Sequence, residues 1–122
     1  MKSLKHVAEA FNQEEASYAL RNFLDAFYAS PNFEAIEEEP RLTAQIFNDE
    51  GHSDAYLAAV AEHLARHHHL PLPSWSLNPS RFLKKPHFGA KTFKLKRLLL
   101  ADSPAAFRSR NLFVSADALT RA

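Results

Sequence analysis

The stretch that decides the fold is SDAYLAAVAEHLARHH, residues 53–68. Four apolar side chains recur in it at the spacing of one helix face, at Leu57, Val60, Ala61 and Leu64. Glu62 and Arg66 stand four residues apart on the opposite face, where they can pair. Ser53 precedes this pattern as a candidate N-cap. We therefore predict a helix over residues 54–68.

A second strong helix is predicted upstream, over residues 13–29. Asn12 followed three residues later by Glu15 forms a capping arrangement. The apolar and aromatic side chains after it repeat with a helical period, at Ala16, Leu20, Phe23, Leu24, Phe27 and Tyr28. Ser30-Pro31 ends this helix and opens a short one. The predicted core joins the two apolar faces and contains Leu20, Phe23, Leu24, Phe27, Leu57, Val60 and Leu64.

Beyond these helices the chain is predicted to pass through a Pro-rich connector over residues 70–79. Trp75, the single tryptophan, lies in the connector, and we expect its ring to pin the connector onto the helices; a contact site for a partner is the alternative. Asn78 and Ser103 each precede a proline and are predicted to cap short helices. Further predicted elements are helices over 79–83, 91–101 (with a strand as the alternative over 93–96) and 104–109, and an extended segment over 110–114.

Composition narrows the class of protein. The chain has 122 residues, of which 46% are hydrophobic, with two glycines and no cysteine. Disulfides, thiol catalysis and Gly-rich phosphate-binding loops are therefore excluded. The charged N-terminal residues predict no signal peptide, and no run approaches the roughly 18 apolar residues of a membrane span. We predict an all-α protein, a single compact multi-helix domain over residues 1–122, soluble and cytoplasmic.

The formal net charge of +1 hides a strong division of charge along the chain. Residues 1–70 carry 5 Lys or Arg against 12 Asp or Glu, whereas residues 71–122 carry 10 against 2. The acidic N-terminal half thus has a charge of −7 and the basic C-terminal half a charge of +8. Such a division predicts association, either with an anionic partner or between copies of the chain.

No group of residues in the sequence matches a known catalytic motif. His63 and His67 have the spacing of two zinc ligands on one helix, but the residue after His63 is not the glutamate of HExxH and no third ligand is near. Arg81 and His87 have the spacing of the HEPN ribonuclease pair, yet Pro86 would break the helix that such a pair needs. We predict no catalytic residue, no metal and no cofactor. A small hydrolase or nuclease around His63 or His87 is a much weaker alternative.

The basic half contains a stretch in which cations alternate with aromatic residues. Six of its cations are predicted to bind a partner, namely Arg81, Lys84, Lys85, Lys94, Lys96 and Arg97. This composition suits a phosphate-binding surface with stacking groups, although no known nucleic-acid module is recognisable. Phenylalanines at helical spacing more often pack inward, which leaves the cations as a docking patch for an acidic protein or for another copy of the chain.

Four segments follow one another in a distinctive order between about residues 20 and 122. Their residues are Asp54 to Ala59 with Glu62, Leu64 and Ala65; Leu70, Pro71, Pro73 and Trp75; Arg81, Leu83, Pro86 and Phe88; and Ser103, Pro104, Phe107, Arg110, Asn111, Phe113 and Val114. In this order they resemble a small bacterial antitoxin-like family. Its members are found beside nucleotidyltransferase-type toxins or fused behind DNA-binding helix-turn-helix domains. The resemblance implies a protein partner, for which the toxin encoded by the adjacent gene is the candidate.

The function predicted from these observations is that of a non-enzymatic cytoplasmic binding protein, antitoxin-like by the resemblance, which neutralises a protein partner by direct docking. The alternative is a nucleic-acid-binding regulator that uses the basic half. Arg110 is predicted to be a structural anchor held by the acidic half, because arginine forks suit carboxylates, with Phe107 and Phe113 packed beside it and Trp75 as a further anchor.

Overall fold

The computed structural model describes residues 3–9, 16–42, 51–88, 93–115 and 119. The α-helices in these ranges are α1 (Leu4–Glu9), α2 (Ala16–Ala29), α3 (Glu34–Glu37), α4 (His52–His67), α5 (Phe93–Asp102) and α6 (Ala105–Arg108). The same ranges contain two 3₁₀ turns, η1 (Ser74–Leu77) and η2 (Pro79–Arg81), and two short strands, β1 (His87–Phe88) and β2 (Leu112–Phe113). The predicted all-α class is confirmed.

Helix α4 lies at the centre of the fold. Its residues from Asp54 to Ala65 are buried except Tyr56 and His63, which are half-buried, and α6, η1 and η2 all pack against it. The many alanines of α4 allow this close approach from several sides, because their side chains occupy little volume. The predicted start of the helix was wrong by two residues. Gly51 adopts a left-handed φ of 88° and precedes the first helical residue, so Ser53 lies inside the helix rather than at its cap.

The core joins α4 to the N-terminal helices. Phe23, Leu24 and Phe27 of α2 are buried, as predicted, and the predicted α4 residues Leu57, Val60 and Leu64 are buried as well. Leu20 is half-buried and packs against this core. Helix α1 adds buried residues that the sequence did not predict, Leu4, Val7 and Ala8. The predicted cap at Asn12 and Glu15 lies outside the described residues.

The Pro-rich connector is pinned to the helices through Trp75. Its ring is buried, and its Nε1–H donates a hydrogen bond to the backbone oxygen of Ile36 in the helix α3 region at 3.0 Å. The prolines and the lack of periodicity predict an extended connector, but η1 interrupts it. The turn is closed by two hydrogen bonds to the Pro73 carbonyl, one from the backbone N–H of Ser76 and one from its hydroxyl.

The C-terminal segment is tied to the loop before β1. Strands β1 and β2 pair in parallel, with His87 opposite Leu112 and Phe88 opposite Phe113. Asn111 adopts a left-handed φ of 63°, and its side-chain amide donates to the Leu83 carbonyl at 2.8 Å.

Ser103 does not cap α6, contrary to the prediction. Pro104 occupies the position before that helix, and α6 has no side-chain cap. The buried Ser103 hydroxyl instead bonds the Leu99 carbonyl in α5 and accepts a hydrogen bond from the backbone N–H of Val114 at 3.0 Å. It therefore links the end of α5 to the residue after β2.

Within the described ranges, no helix combines the length and the apolar character that crossing a membrane requires.

Candidate functional site

Arg81, which was predicted to bind a partner, is buried rather than exposed. Its side chain is 0% exposed, and its guanidinium lies 3.1 Å from a Glu39 carboxylate oxygen and 3.8 Å from one of Asp54. It also donates to the buried backbone oxygen of Pro40. One face of the guanidinium covers the Trp75 ring, with Cζ 4.9 Å from the ring centroid. Arg81 therefore joins η2 to α4, to the end of the α3 region and to the connector.

Arg110 occupies a similar position further along α4, beside Glu62. It is also 0% exposed, and its Nη1 lies 2.5 Å from a Glu62 oxygen, so the predicted contact with the acidic half is present. The same guanidinium donates to the backbone oxygens of Ala106 and Ser76. Its Cζ lies 4.7 Å from the centroid of the Phe82 ring. Of the other predicted anchors, Phe107 and Phe113 are buried like Trp75.

The Glu62 carboxylate is kept charged in this buried position. Burial by itself would raise its pKa, but the hydrogen bonds and charges of Arg110 and Arg66 outweigh burial and hold the pKa below the usual 4.5. Glu62 thus forms ion pairs with two arginines, the buried Arg110 and the exposed Arg66, the latter at 2.7 Å.

The division of charge along the sequence is therefore partly neutralised inside the fold. The ion pairs of Arg81 with Glu39 and Asp54, and of Arg110 with Glu62, each join the basic half to the acidic half. Charge that is consumed in such pairs is not available to attract a partner. What remains for a partner is the subset of basic residues that stays exposed.

Lys84 and Lys85 are the predicted partner-binding cations that the structure places fully at the surface. Within the described part of the chain, neither forms an ion pair. Lys96 is half-buried, and its Nζ lies 5.6 Å from the centroid of the Phe88 ring. The side chains of Lys94 and Arg97 lie outside what the structure describes, although both residues belong to α5.

A groove of about 580 Å³ lies beside Lys84 and Lys85. Its walls come from the first residue of α4 and from residues 79–87. The lining residues are His52, Pro79, Ser80, Phe82, Leu83, Lys84, Lys85, Pro86 and His87. The imidazole rings of His52 and His87 are in contact, with centroids 4.0 Å apart. None of these lining residues is acidic, so the groove offers cations, hydrogen-bond donors and apolar surface.

The sequence did not predict this groove. In the sequence, His87 lies in the basic stretch and has the spacing of a nuclease pair with Arg81, whereas His52 falls in a predicted loop before the helix. The two residues are distant along the chain, and no spacing rule connects them. Arg81, the other member of that nuclease pair, is enclosed by Glu39, Asp54 and Pro40, so it has no access to a substrate beside His87.

The aromatic rings of the basic stretch are engaged within the fold. Phe88 stacks on Phe113 with ring centroids 4.8 Å apart and also contacts Lys96. Phe82 is half-buried and contacts the guanidinium of Arg110. Bases of a nucleic acid need accessible ring faces on which to stack. The described rings therefore suit internal packing better than base stacking.

His63 and His67 are in ring contact on α4, with centroids 4.1 Å apart. His63 is half-buried and also contacts Phe107. No cluster of three or more potential metal ligands occurs among the residues that the structure describes. Burial, together with the charges of His67 and His68, lowers the pKa of His63 from its usual 6.5 to about 4.

This lowered pKa predicts a pH dependence of stability. Between pH 6.5 and about 4 the unfolded chain takes up a proton at His63 that the folded chain does not, so stability should fall as the pH falls through this window. The pKa of Glu62 lies below 4.5, and its contribution is lost only at lower pH. Urea unfolding at a series of pH values should show a slope that His63→Gln flattens. An equal slope in the variant would contradict the assignment.

Comparison with protein-family models, with characterised proteins and with solved structures gave no match in any of the three cases. The resemblance to an antitoxin-like family therefore stays a prediction that depends on the residues named above.

Proposed function

We propose that this chain is a non-enzymatic cytoplasmic binding protein of the antitoxin-like kind, which neutralises a protein partner by direct docking. The observation that carries the proposal is the groove beside Lys84 and Lys85, which combines exposed cations with apolar walls and has no acidic lining residue among the described ones. A protein that presents carboxylates is the complementary partner. The partner inferred from the resemblance is the product of the adjacent gene.

The basic residues fall into a buried group and an exposed group, and this distinction supports docking rather than catalysis. Arg81 and Arg110 are enclosed by carboxylates, backbone oxygens and aromatic rings, so they hold the surface in shape. The exposed lysines beside the groove can then meet a partner on a fixed framework. Rigid elements that hold a charged rim are favourable for binding because less conformational freedom is lost on association.

A second candidate function is the binding of nucleic acid through the same lysines. The exposed, unpaired Lys84 and Lys85 favour it, because phosphate contacts depend on accessible cations. The internal engagement of Phe82 and Phe88 weighs against it, since stacking on bases would require those rings.

Reversing the two exposed lysines is the direct test. We expect the double variant Lys84→Glu, Lys85→Glu to keep the fold and to associate with the purified product of the adjacent gene at least about tenfold more slowly at low salt, because charge complementarity acts mainly on the association rate. The difference should shrink as salt screens the charges. Stopped-flow or surface-based binding kinetics at two salt concentrations would measure it.

The matched control is the double variant Arg21→Glu, Arg108→Glu, which changes the net charge equally at two exposed cations outside the groove. It should bind close to normally. If both double variants bind as well as the unaltered protein, while only the lysine variant loses affinity for DNA or RNA, the docking proposal fails and the nucleic-acid candidate replaces it.

A further inference from the structure

The groove between the start of α4 and the loop before β1 has the size of a binding site for a short segment of chain. Its volume of about 580 Å³ lies within the roughly 300–1,000 Å³ typical of sites that enclose a small ligand. The groove is thus large enough to receive a few side chains of a partner, which a flat surface could not enclose.

The chemistry of its walls selects what those side chains are. Three lining residues can donate hydrogen bonds to an anion from their charged or imidazole groups, Lys84, Lys85 and His87, and Ser80 adds a hydroxyl. Further lining residues, Pro79, Phe82, Leu83 and Pro86, supply apolar surface. An occupant that combines carboxylates with an apolar side chain would satisfy both kinds of wall.

The two imidazoles are carried by backbone that is fixed elsewhere. His87 opens β1, and its backbone N–H donates to the Asn111 carbonyl at 2.8 Å, while the preceding loop is tied through the Leu83 N–H to the Arg110 carbonyl at 3.2 Å. His52 begins the central helix, and its ring also approaches Tyr56, with centroids 6.1 Å apart. Rings held on such elements are positioned before a ligand arrives, which lowers the entropy lost on binding.

From this arrangement we propose that the groove is the receptor for an acidic linear segment of the protein partner, with an apolar side chain on the wall formed by Pro79, Leu83 and Pro86 and flanking carboxylates on His87 and the two lysines. The inference rests on the proposed function, because it names the chemistry of the partner at the same surface. A peptide is favoured over a nucleic acid because the aromatic rings near the groove are already stacked on Phe113 or covered by Arg110.

The test uses the whole protein and a fluorescent five-residue peptide in which one leucine is flanked by two glutamates on each side. We expect saturable binding in fluorescence anisotropy, and we expect His87→Gln to weaken it about tenfold, the usual effect of losing a charge-assisted hydrogen bond. His67→Gln is the matched control, since His67 is also exposed and in ring contact with another histidine. It should leave the affinity unchanged.

Two further kinds of probe test how much each wall of the groove contributes to binding and which class of ligand the groove prefers. Replacing the glutamates of the peptide by glutamine should abolish binding, and replacing its leucine by glycine should weaken it. A pentathymidylate should bind more weakly than the acidic peptide. If it binds equally or more tightly, or if the peptide does not bind, the groove is not an acidic-peptide receptor and the inference is overturned.

A measurement on the unaltered protein keeps the inference falsifiable even where His87→Gln fails to fold. On titration with the acidic peptide, the imidazole NMR signals of His52 and His87 should move while those of His63 and His67 stay in place. Movement of the second pair alone, or of neither, would overturn the inference.

The outcomes also separate this inference from the proposed function. If the product of the adjacent gene binds and the lysine reversals weaken it, but the peptide does not bind, only the groove inference fails. If the peptide binds at His52 and His87 while that gene product does not, the antitoxin-like function fails and the groove inference stands.

Discussion

Replacing Arg110 by alanine is expected to lower the free energy of unfolding by about 3 to 5 kcal/mol. The guanidinium is wholly buried, donates to Glu62 and reaches the backbone oxygens of Ala106 and Ser76. Its removal leaves the Glu62 carboxylate with the exposed Arg66 alone and leaves two buried backbone oxygens without this donor, and losing one member of a buried ion pair costs more than the intact pair contributes. Urea or thermal unfolding, followed by circular dichroism, would measure the loss.

The control for this change is Arg108→Ala, which removes an exposed arginine two residues away in the same segment. It should alter stability by no more than about 0.5 kcal/mol. The double variant Arg110→Met, Glu62→Leu should recover much of the lost stability, because it removes both charges together. Unchanged unfolding of Arg110→Ala would mean that the ion pair with Glu62 does not hold the C-terminal segment.

Replacing Arg81 by alanine should cost about 3 kcal/mol or more. The change removes the guanidinium that faces Asp54 and Glu39, and it also removes a donor from the buried Pro40 carbonyl. The Trp75 ring would lose the cation on its face as well. A fall in the unfolding midpoint, together with a rise in tryptophan exposure measured by fluorescence quenching, would report the loss.

Lys84→Ala, close to Arg81 in the chain but exposed, is the matched control and should leave the unfolding midpoint unchanged. The pair of variants separates two roles that composition alone cannot distinguish. Arg81 should affect stability first and binding only through stability, whereas Lys84 should affect binding alone. A variant of Arg81 that stays fully stable but loses the partner would restore the original prediction of a binding role.

The sequence by itself determined most of the helical framework. Residues 54–68 and 16–29 carry apolar side chains at helical spacing, and a helical face of this kind must be buried whatever its neighbours are. Phe23, Leu24, Phe27, Leu57, Val60 and Leu64 are accordingly all buried. Local rules failed where the determining contact is not local, as at Ser103, whose hydroxyl bonds Leu99 and Val114 instead of capping the next helix.

Only the tertiary structure decided which charges are internal and which are available. The sequence shows the same residue type at Arg81 and Arg108, but the fold encloses Arg81 between α4 and the connector and leaves Arg108 in solvent. The groove has the same origin, because His52 and His87 meet only once the loop before β1 lies against the start of α4. Periodicity reports how one element divides its own faces, whereas burial of a charge and contact between distant rings depend on how separate elements pack together.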